Sequence, residues 1–239
     1  MKTGSQKPEA GSQKPEDGGR RTEIQGPLSG FRPPASGTSP LLVLISAPSG
    51  GGKTTLCQQL LATRPKMTRA VTCTTREPRP GEKDGVDYHF LDAVSFRKRV
   101  QAGDFLEHAT VYDHCYGTLK AEVLDQLRQG KDVLLSVDVQ GAAAIRERAR
   151  EDRELQRALV SVFVTPPSLE ILEARLRKRG TDSPAVIQKR LSVARQEIAQ
   201  WNKFDYLLIS NSIQEDLRRA LAVIEAEKLR SARALPPEL

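Results

Sequence analysis

Lys53, Thr54 and Thr55 follow three consecutive glycines, Gly50, Gly51 and Gly52, in the run LVLISAPSGGGKTT over residues 42–55. An ammonium, two hydroxyls and a backbone free of Cβ atoms at that spacing are the parts needed to hold a polyphosphate. Glycine N–H groups curl round phosphate oxygens without side-chain interference. Lys53 can reach the β- and γ-phosphates, and Thr54 can offer its hydroxyl to Mg²⁺. A helix opening at Lys53 points its positive end at the same anion.

The run departs from the strict P-loop pattern G-x-x-x-x-G-K-[ST] at one position, where Ala47 replaces the first glycine. Alanine serves there wherever the local φ is negative. The alternative is a glycine-rich turn that binds nothing. An apolar strand before the turn and an amphipathic helix after it are the context that separates the two. Ala47, Pro48, Ser49, Gly50, Gly51, Gly52, Lys53, Thr54 and Thr55 are therefore the candidate contacts to a nucleoside triphosphate. Lys53 is the candidate catalytic cation and Thr54 a candidate metal ligand.

The elements that must position this turn are read from the rest of the chain. From Leu41 onward, apolar runs alternate with helical patterns. Strands are expected at 41–46, 68–73, 132–138, 159–164 and 204–210. Helices are expected at 53–63, 92–102, 118–129, 139–150, 168–179, 184–201 and 213–232. Gly103 and Gly130 punctuate helix ends, and Ser168 stands as an N-cap after Pro166-Pro167. Short apolar strands alternating with helices imply an α/β fold, a parallel sheet covered on both faces. The turn after the first strand lies where such sheets bind ligands. Residues 74–118 break the rhythm and read as an insert that holds a substrate. The stretch 175–190, RLRKRGTDSPAVIQKR, sets six basic residues and one acid around a Gly/Ser/Pro break. A helix–loop–helix that closes over phosphates has this composition.

The chain has 239 residues, a net charge of +7 and three cysteines, Cys57, Cys73 and Cys115. A chain of this length buries a sizeable core without disulfides. The cysteines are too few and too scattered for a zinc site or disulfide framework, which favours a reducing, cytoplasmic compartment. No membrane-spanning run or signal peptide is present in the sequence. Residues 1–39, with the duplicated GSQKPE, are too polar to offset their ordering entropy and are expected to be a disordered tail. The basic balance lacks a stripe interleaved with aromatics, so it points to small phosphates rather than nucleic acid.

A P-loop enzyme needs an acceptor. A hydroxyl acceptor generally wants a base, whereas a nucleoside monophosphate is already an anionic nucleophile. Two charged phosphates must then be brought together by cations and a metal, through positioning and electrostatics. Arg76, Arg79, Arg175, Arg179 and Arg190, beside Lys53, meet that need. Ordinary solvated surface charge is the alternative for each.

The motifs SAPSGGGKTT, TTREPRPGEKDGVDYHF, FLEH, YGT, DVQGA, RLRKRG and QKRL, in this order, resemble those of the guanylate kinases, over about 40–232. The resemblance implies a three-layer P-loop fold with a five-stranded parallel core over 40–73 and 119–232. It also implies a small mixed GMP-binding insert over 74–118, a helical lid near 175–190 and a C-terminal tail over 233–239. It implies ATP as co-substrate with Mg²⁺, and GMP as acceptor. Arg76, Arg79, Tyr88 and Tyr116 should grip the GMP phosphate, since guanidinium forks suit phosphate oxygens and phenols add neutral donors. Glu107, Thr118, Thr72 and Asp138 should read or position the guanine, and Asp138 should also serve the metal. Arg175, Arg179 and Arg190 match the lid arginines that neutralise the transferring phosphoryl.

Three departures stand out. Ser136 replaces the first of two aspartates common in the strand before QGA, Cys115 replaces a tyrosine before YGT, and Ser210-Asn211 replaces an Asn-Asp pair after the last strand. A phosphopeptide-binding scaffold that has lost catalysis, and a kinase of a sugar phosphate, are the rival readings. The intact Lys53 and Thr54 weigh against the first; Glu107 and Thr118 weigh against the second.

Overall fold

The computed structural model describes Met1 and residues 38–111, 113–180 and 182–234. The expected polar tail, apart from Met1, Thr38 and Ser39, and residues 235–239 fall outside the described residues. Chain order runs β1 (Leu42–Ser46), α1 (Lys53–Thr63), β2 (Met67–Arg69), β3 (Thr72–Thr74), β4 (His89–Phe90), α2 (Ala93–Ala102), β5 (Phe105–Val111), β6 (His114–Leu119) and α3 (Lys120–Arg128). It continues with β7 (Asp132–Val137), α4 (Val139–Glu151), α5 (Arg153–Ala158), β8 (Leu159–Thr165), α6 (Leu169–Arg179), α7 (Pro184–Ile198), a 3₁₀ turn at Trp201–Lys203, β9 (Tyr206–Ile209) and α8 (Ile213–Leu229).

β1 is apolar at four of its five positions and buried at all five because helices cover both sheet faces. Val43 and Ile45 pack with Leu56 and Leu60 of α1 and Ile224 of α8. Leu42 and Leu44 pack the other way, with Val123 and Leu127 of α3 and Ile145 of α4. β1 is the middle strand of a five-stranded parallel sheet ordered β2-β7-β1-β8-β9. The chain leaves β1 to one side first and returns to the other later, so the turn after β1 opens at the topological switch point.

The expected strand at 68–73 is two strands in two sheets. β2 pairs with β7 in the core, whereas β3 joins a second sheet ordered β4-β3-β6-β5. The switch takes only Ala70 and Val71, whose N–H is taken by Glu122 Oε1 at 2.8 Å. Pattern gives no sign of it, because TRAVTC is strand-like throughout. α5 was also absent from the sequence reading. It is a six-residue helix, capped by the Asp152 carboxylate accepting from the N–H groups of Glu154 and Leu155. The last two expected helices end earlier than pattern suggests, at Ile198 and Leu229.

The second sheet has its own small core, where Phe96 stacks on Phe105 at 4.6 Å and Cys73 is buried beside them. A register shift between Phe105 and Glu107 lets consecutive residues serve two cores: Phe105 fills the insert, and Leu106 packs into the main body. α6 and α7 form a helical hairpin joined through Leu172, Leu176, Ile187 and Leu191. Ser168 and Ser183 cap their N-termini, and Gly180 ends α6 at φ 68°. Among the described residues no helix is long and apolar enough to cross a membrane.

Packing extends past the expected boundaries at 40 and 232. Thr38 bridges to Ala234, and the Ser39 hydroxyl donates to the Arg233 carbonyl at 2.8 Å. The Arg233 guanidinium is buried, donating to the carbonyls of Arg157 at 2.7 Å and Leu159 at 2.9 Å. It also pairs with Glu227, a carboxylate only 2% exposed that accepts from the Tyr206 hydroxyl and contacts Arg230. A chain ended after Ala232 keeps Glu227 buried while removing one of its two cations. Breaking a buried pair in this way costs about 3–5 kcal/mol. Urea unfolding should show the lower midpoint; an unchanged midpoint would mean that Arg230 alone neutralises Glu227.

Candidate active site

The turn after β1 is shaped by two glycines in the left-handed region, Gly50 at φ 85° and Gly52 at φ 100°. A Cβ on Gly50 would also stand 2.9 Å from Leu176 of α6, so the turn and α6 pack in close contact. Gly52 is the N-cap of α1 and brings no side chain to cap it; the first turn holds no acid. The amides at the head of α1 are thus left to an outside anion.

Lys53 Nζ donates to the Val137 carbonyl at 2.9 Å, which spans from α1 to the end of β7. Burial pushes its pKa below 10.5, while Asp138, Cys57 and Glu197 oppose the shift. Ala47, Pro48, Ser49, the three glycines, Lys53, Thr54 and Thr55 border one cleft of about 480 Å³ with Asp138, Arg175 and Glu197. A neighbouring hollow of about 280 Å³ is bounded by Gly52, Thr55, Arg175, Ser210 and Asn211. Arg175 Nη1 donates to Ser210 Oγ at 3.1 Å, and Ser210 Oγ donates to Asp216 Oδ2 at 2.7 Å. Arg190 Nη1 lies 3.4 Å from Ser49 Oγ, and Nη2 pairs with Asp182 at 3.1 Å. Arg179 is the last residue of α6, and its side chain lies outside the described residues.

A third cleft, of about 420 Å³, lies between the two sheets. Thr72, Tyr88, Glu107, Tyr116 and Thr118 border it, together with Thr54 and Asp138. The register explains the grouping: Thr72 of β3 faces Thr118 of β6, which faces Glu107 of β5. Three polar side chains therefore stand in one row across three strands. Thr118 Oγ1 donates to Glu107 Oε1 at 2.7 Å. Burial raises the Glu107 pKa above 4.5 and Asp138 adds to the rise, against the Thr118 hydrogen bonds. A carboxylate backed in this way can accept two N–H groups from one planar edge.

Asp138 is the N-cap of α4. Its Oδ1 accepts from Gly141 N–H at 2.8 Å, leaving Oδ2 uncommitted among the described residues. Asp138 and Thr54 border both the cleft at the turn and the cleft between the sheets. The two spaces meet at this pair.

Two expected phosphate ligands are engaged within their own loop. Arg76 and Arg79 do not border the inter-sheet cleft. Arg76 Nη2 is held by both oxygens of Glu82 at 2.9 Å, and Nη1 donates to the Glu77 carbonyl at 2.6 Å. The Arg79 backbone N–H donates to the same Glu82. A carboxylate within the loop thus gathers the positive charge that the sequence reading gave to a phosphate. Arg76 still stacks 5.4 Å from the Tyr88 ring, and Tyr88 meets Tyr116 edge-on at 6.3 Å, so it stands behind the cleft's aromatic wall.

Arg69 and Cys57 also border this cleft, and neither was singled out from sequence. Burial raises the Cys57 pKa above 9.0; the Ser136 hydroxyl, Lys53 and Arg69 oppose the shift. Glu197 was missed as well. Its signal was present: it lies seven residues after Arg190, two turns along one helix face. Among the described residues no three His, Cys, Asp or Glu side chains cluster as a ready metal cage. A cation here would need hydroxyl and phosphate oxygens to complete its shell.

The sequence profile described as "Guanylate kinase" matches residues 39–227. A guanylate kinase of Aromatoleum aromaticum is 47% identical over 191 residues, covering 80% of this chain and 90% of that protein. One from Paramagnetospirillum magneticum is 43% identical over 193 residues, covering 81% and 87%. In three dimensions, the crystal structure of guanylate kinase from Anaplasma phagocytophilum aligns with a TM-score of 0.62 at 30% identity, covering 82% of this chain and 90% of that one. With the P-loop at the switch point, the row of polar side chains in the inter-sheet cleft and a profile match over most of the chain, the protein belongs to the guanylate kinase family.

Proposed function

We propose that this chain transfers the γ-phosphoryl group of ATP to GMP, and to dGMP, which presents the same base edge, giving ADP and the nucleoside diphosphate. One observation carries the reading: a phosphate-binding turn and a cleft with a half-buried carboxylate meet at Thr54 and Asp138. ATP lies along the turn, its triphosphate on the α1 amides and Lys53, its adenosine toward Ser210 and Asn211. GMP lies between the sheets. Ionised Glu107 accepts from guanine N1–H and the exocyclic amine, with Thr118 and Thr72 on either side of the row. Tyr88 and Tyr116 lead toward the GMP phosphate, and Arg76 joins them by exchanging Glu82 for phosphate oxygens. The chain's net charge of +7 serves these multiply charged small molecules. Three unpaired cysteines, two of them buried, suit a reducing compartment such as the cytoplasm.

The acceptor phosphate is already an anion, so no residue need act as general base. The protein's task is to hold two anions in line and neutralise the charge that moves between them. Lys53 follows the transferring group, and Arg175 and Arg190 approach it from the lid. Thr54 and the uncommitted oxygen of Asp138 suit Mg²⁺, a hard cation that takes one or two protein oxygens plus phosphates and water. When bound, the metal screens the β- and γ-oxygens.

The sugar-phosphate and scaffold readings are separated from this one by a substrate panel. With ATP, kcat/KM for GMP should exceed that for AMP by about 10⁴-fold, because AMP turns a lone pair toward Glu107. Comparable values would remove the guanine assignment. Lys53→Ala should lower kcat by roughly 10²-fold or more; near-normal turnover in a folded variant would take Lys53 out of the site.

Glu107 also links binding to pH. GMP needs the ionised carboxylate, and burial raises its pKa above 4.5. GMP affinity, read by titration calorimetry, should therefore weaken on acidification at a pH above the ordinary carboxylate range. The folded state holds this proton more tightly than the unfolded chain does. Ionised Glu107 thus lowers stability: the penalty is absent below the unfolded pKa and complete above the folded one. Glu107→Gln should raise Tm at pH 7 and leave it almost unchanged at pH 4, while weakening GMP. A lower Tm at pH 7 would show that the carboxylate supports the fold.

A further inference from the structure

α7 returns from the lid toward the phosphate-binding turn with two charged side chains on one face, Arg190 and Glu197. Both address the same residue. Arg190 Nη1 lies 3.4 Å from the Ser49 hydroxyl, and the Ser49 backbone N–H faces the Glu197 carboxylate. Glu197 borders the cleft at the turn with Lys53, Thr54 and Asp138. Its Oε2 is shielded from solvent and has no hydrogen-bond partner among the described residues. Burial and then Asp138 push its pKa above 4.5, while Lys53 and the Ser49 amide oppose the shift. The α1 amides, Lys53 and Arg175 of this cleft attract a triphosphate, and Asp138 is its other anion. A carboxylate with a spare oxygen beside them repels one.

We propose that Glu197 makes the donor site discriminate metal-loaded ATP from bare ATP. The proposal rests on the reading of this cleft as the seat of Mg-ATP. Bare ATP⁴⁻ meets two anions at the turn, Asp138 from the end of β7 and Glu197 from α7. MgATP²⁻ presents a dication, and the same two carboxylates then attract. Ser136, exposed and uncharged two positions before Asp138, adds no charge here. Glu197 therefore supplies, from another element, the second carboxylate beside the metal's expected place. A single charge several ångströms away in a partly buried site shifts binding by about tenfold.

The test is ATP binding without GMP, by titration calorimetry, once in EDTA and once with excess Mg²⁺, for the unmodified protein and for Glu197→Gln and Glu197→Asp. The glutamine keeps an oxygen for the Ser49 amide and removes the charge. It should bind bare ATP about tenfold more tightly and Mg-ATP more weakly, so the two affinities move in opposite directions. The aspartate variant should retain the preference for Mg-ATP. A role confined to bracing the turn moves both affinities in the same direction; that result, or no change in either, overturns the proposal. So does an unmodified protein that binds both forms alike. If the unmodified protein binds ATP in neither form, the reading of the donor cleft falls as well.

Discussion

Two phosphates repel each other, and the whole active site is arranged to bring them together. The answer begins with main chain rather than side chains. β1 is buried on both faces and cannot shift, so the turn that follows it is held in place by the core. Because Gly52 offers no cap, the amides at the head of α1 keep their partial positive charge for the ligand. Lys53 adds a full charge within the same few residues. The α6–α7 hairpin is tied to this turn twice, through Leu176 against Gly50 and through Arg190 against Ser49. The placement of the hairpin and the shape of the turn are therefore one packing problem.

In the proposed reading, the acceptor side is solved by sheet geometry. A site that reads a base edge needs polar groups in a line, and β-pairing supplies lines perpendicular to the strands. Thr72, Thr118 and Glu107 occupy one such line. The irregularity after Phe105 sets which residues of β5 join it. It sends Phe105 into the insert core and Leu106 into the main core, and leaves Glu107 in the polar row. Moving that irregularity by one residue would turn the carboxylate to the other face.

The parts of this arrangement that depend on short-range chemistry are legible in the sequence. The glycine triplet with Lys53, the Ser168 cap and the alternation of strands with helices all follow from neighbours along the chain. The chain's passage from one sheet to the other does not, because TRAVTC suits either sheet and only pairing decides where it breaks. Arg76 and Arg79 show a second limit. Composition counts arginines, but it does not reveal that Glu82, a few residues on, holds one guanidinium by two hydrogen bonds and the other arginine's amide by one. Arg233 shows a third: a basic residue six from the chain's end reads as a polar tail until Glu227 is found buried beneath it.

The charges drawn out of water differ in how they are paired. Asp132 and Glu227 are fully enclosed, and each is paired with two cations: Asp132 with Lys228 at Oδ1, which also accepts from the Leu41 amide, and with Arg64 3.7 Å from Oδ2, and Glu227 with Arg230 and Arg233 beside the Tyr206 hydroxyl. These pairs join distant elements into one body. Lys53, Glu107 and Glu197 are different. Burial drives the pKa of the lysine down and those of both glutamates up, so in every case the environment works against the charge. Each has some local support, but among the described residues none forms an ion pair of the kind that holds Asp132 and Glu227. Charges left under-compensated in this way are stabilised when complementary ligands arrive. In the proposed reading, a cationic Lys53 gains from a triphosphate, and an anionic Glu107 from two N–H groups of a base. The same incomplete pairing that lowers the stability of the free protein thus raises the electrostatic contribution of each ligand that completes it.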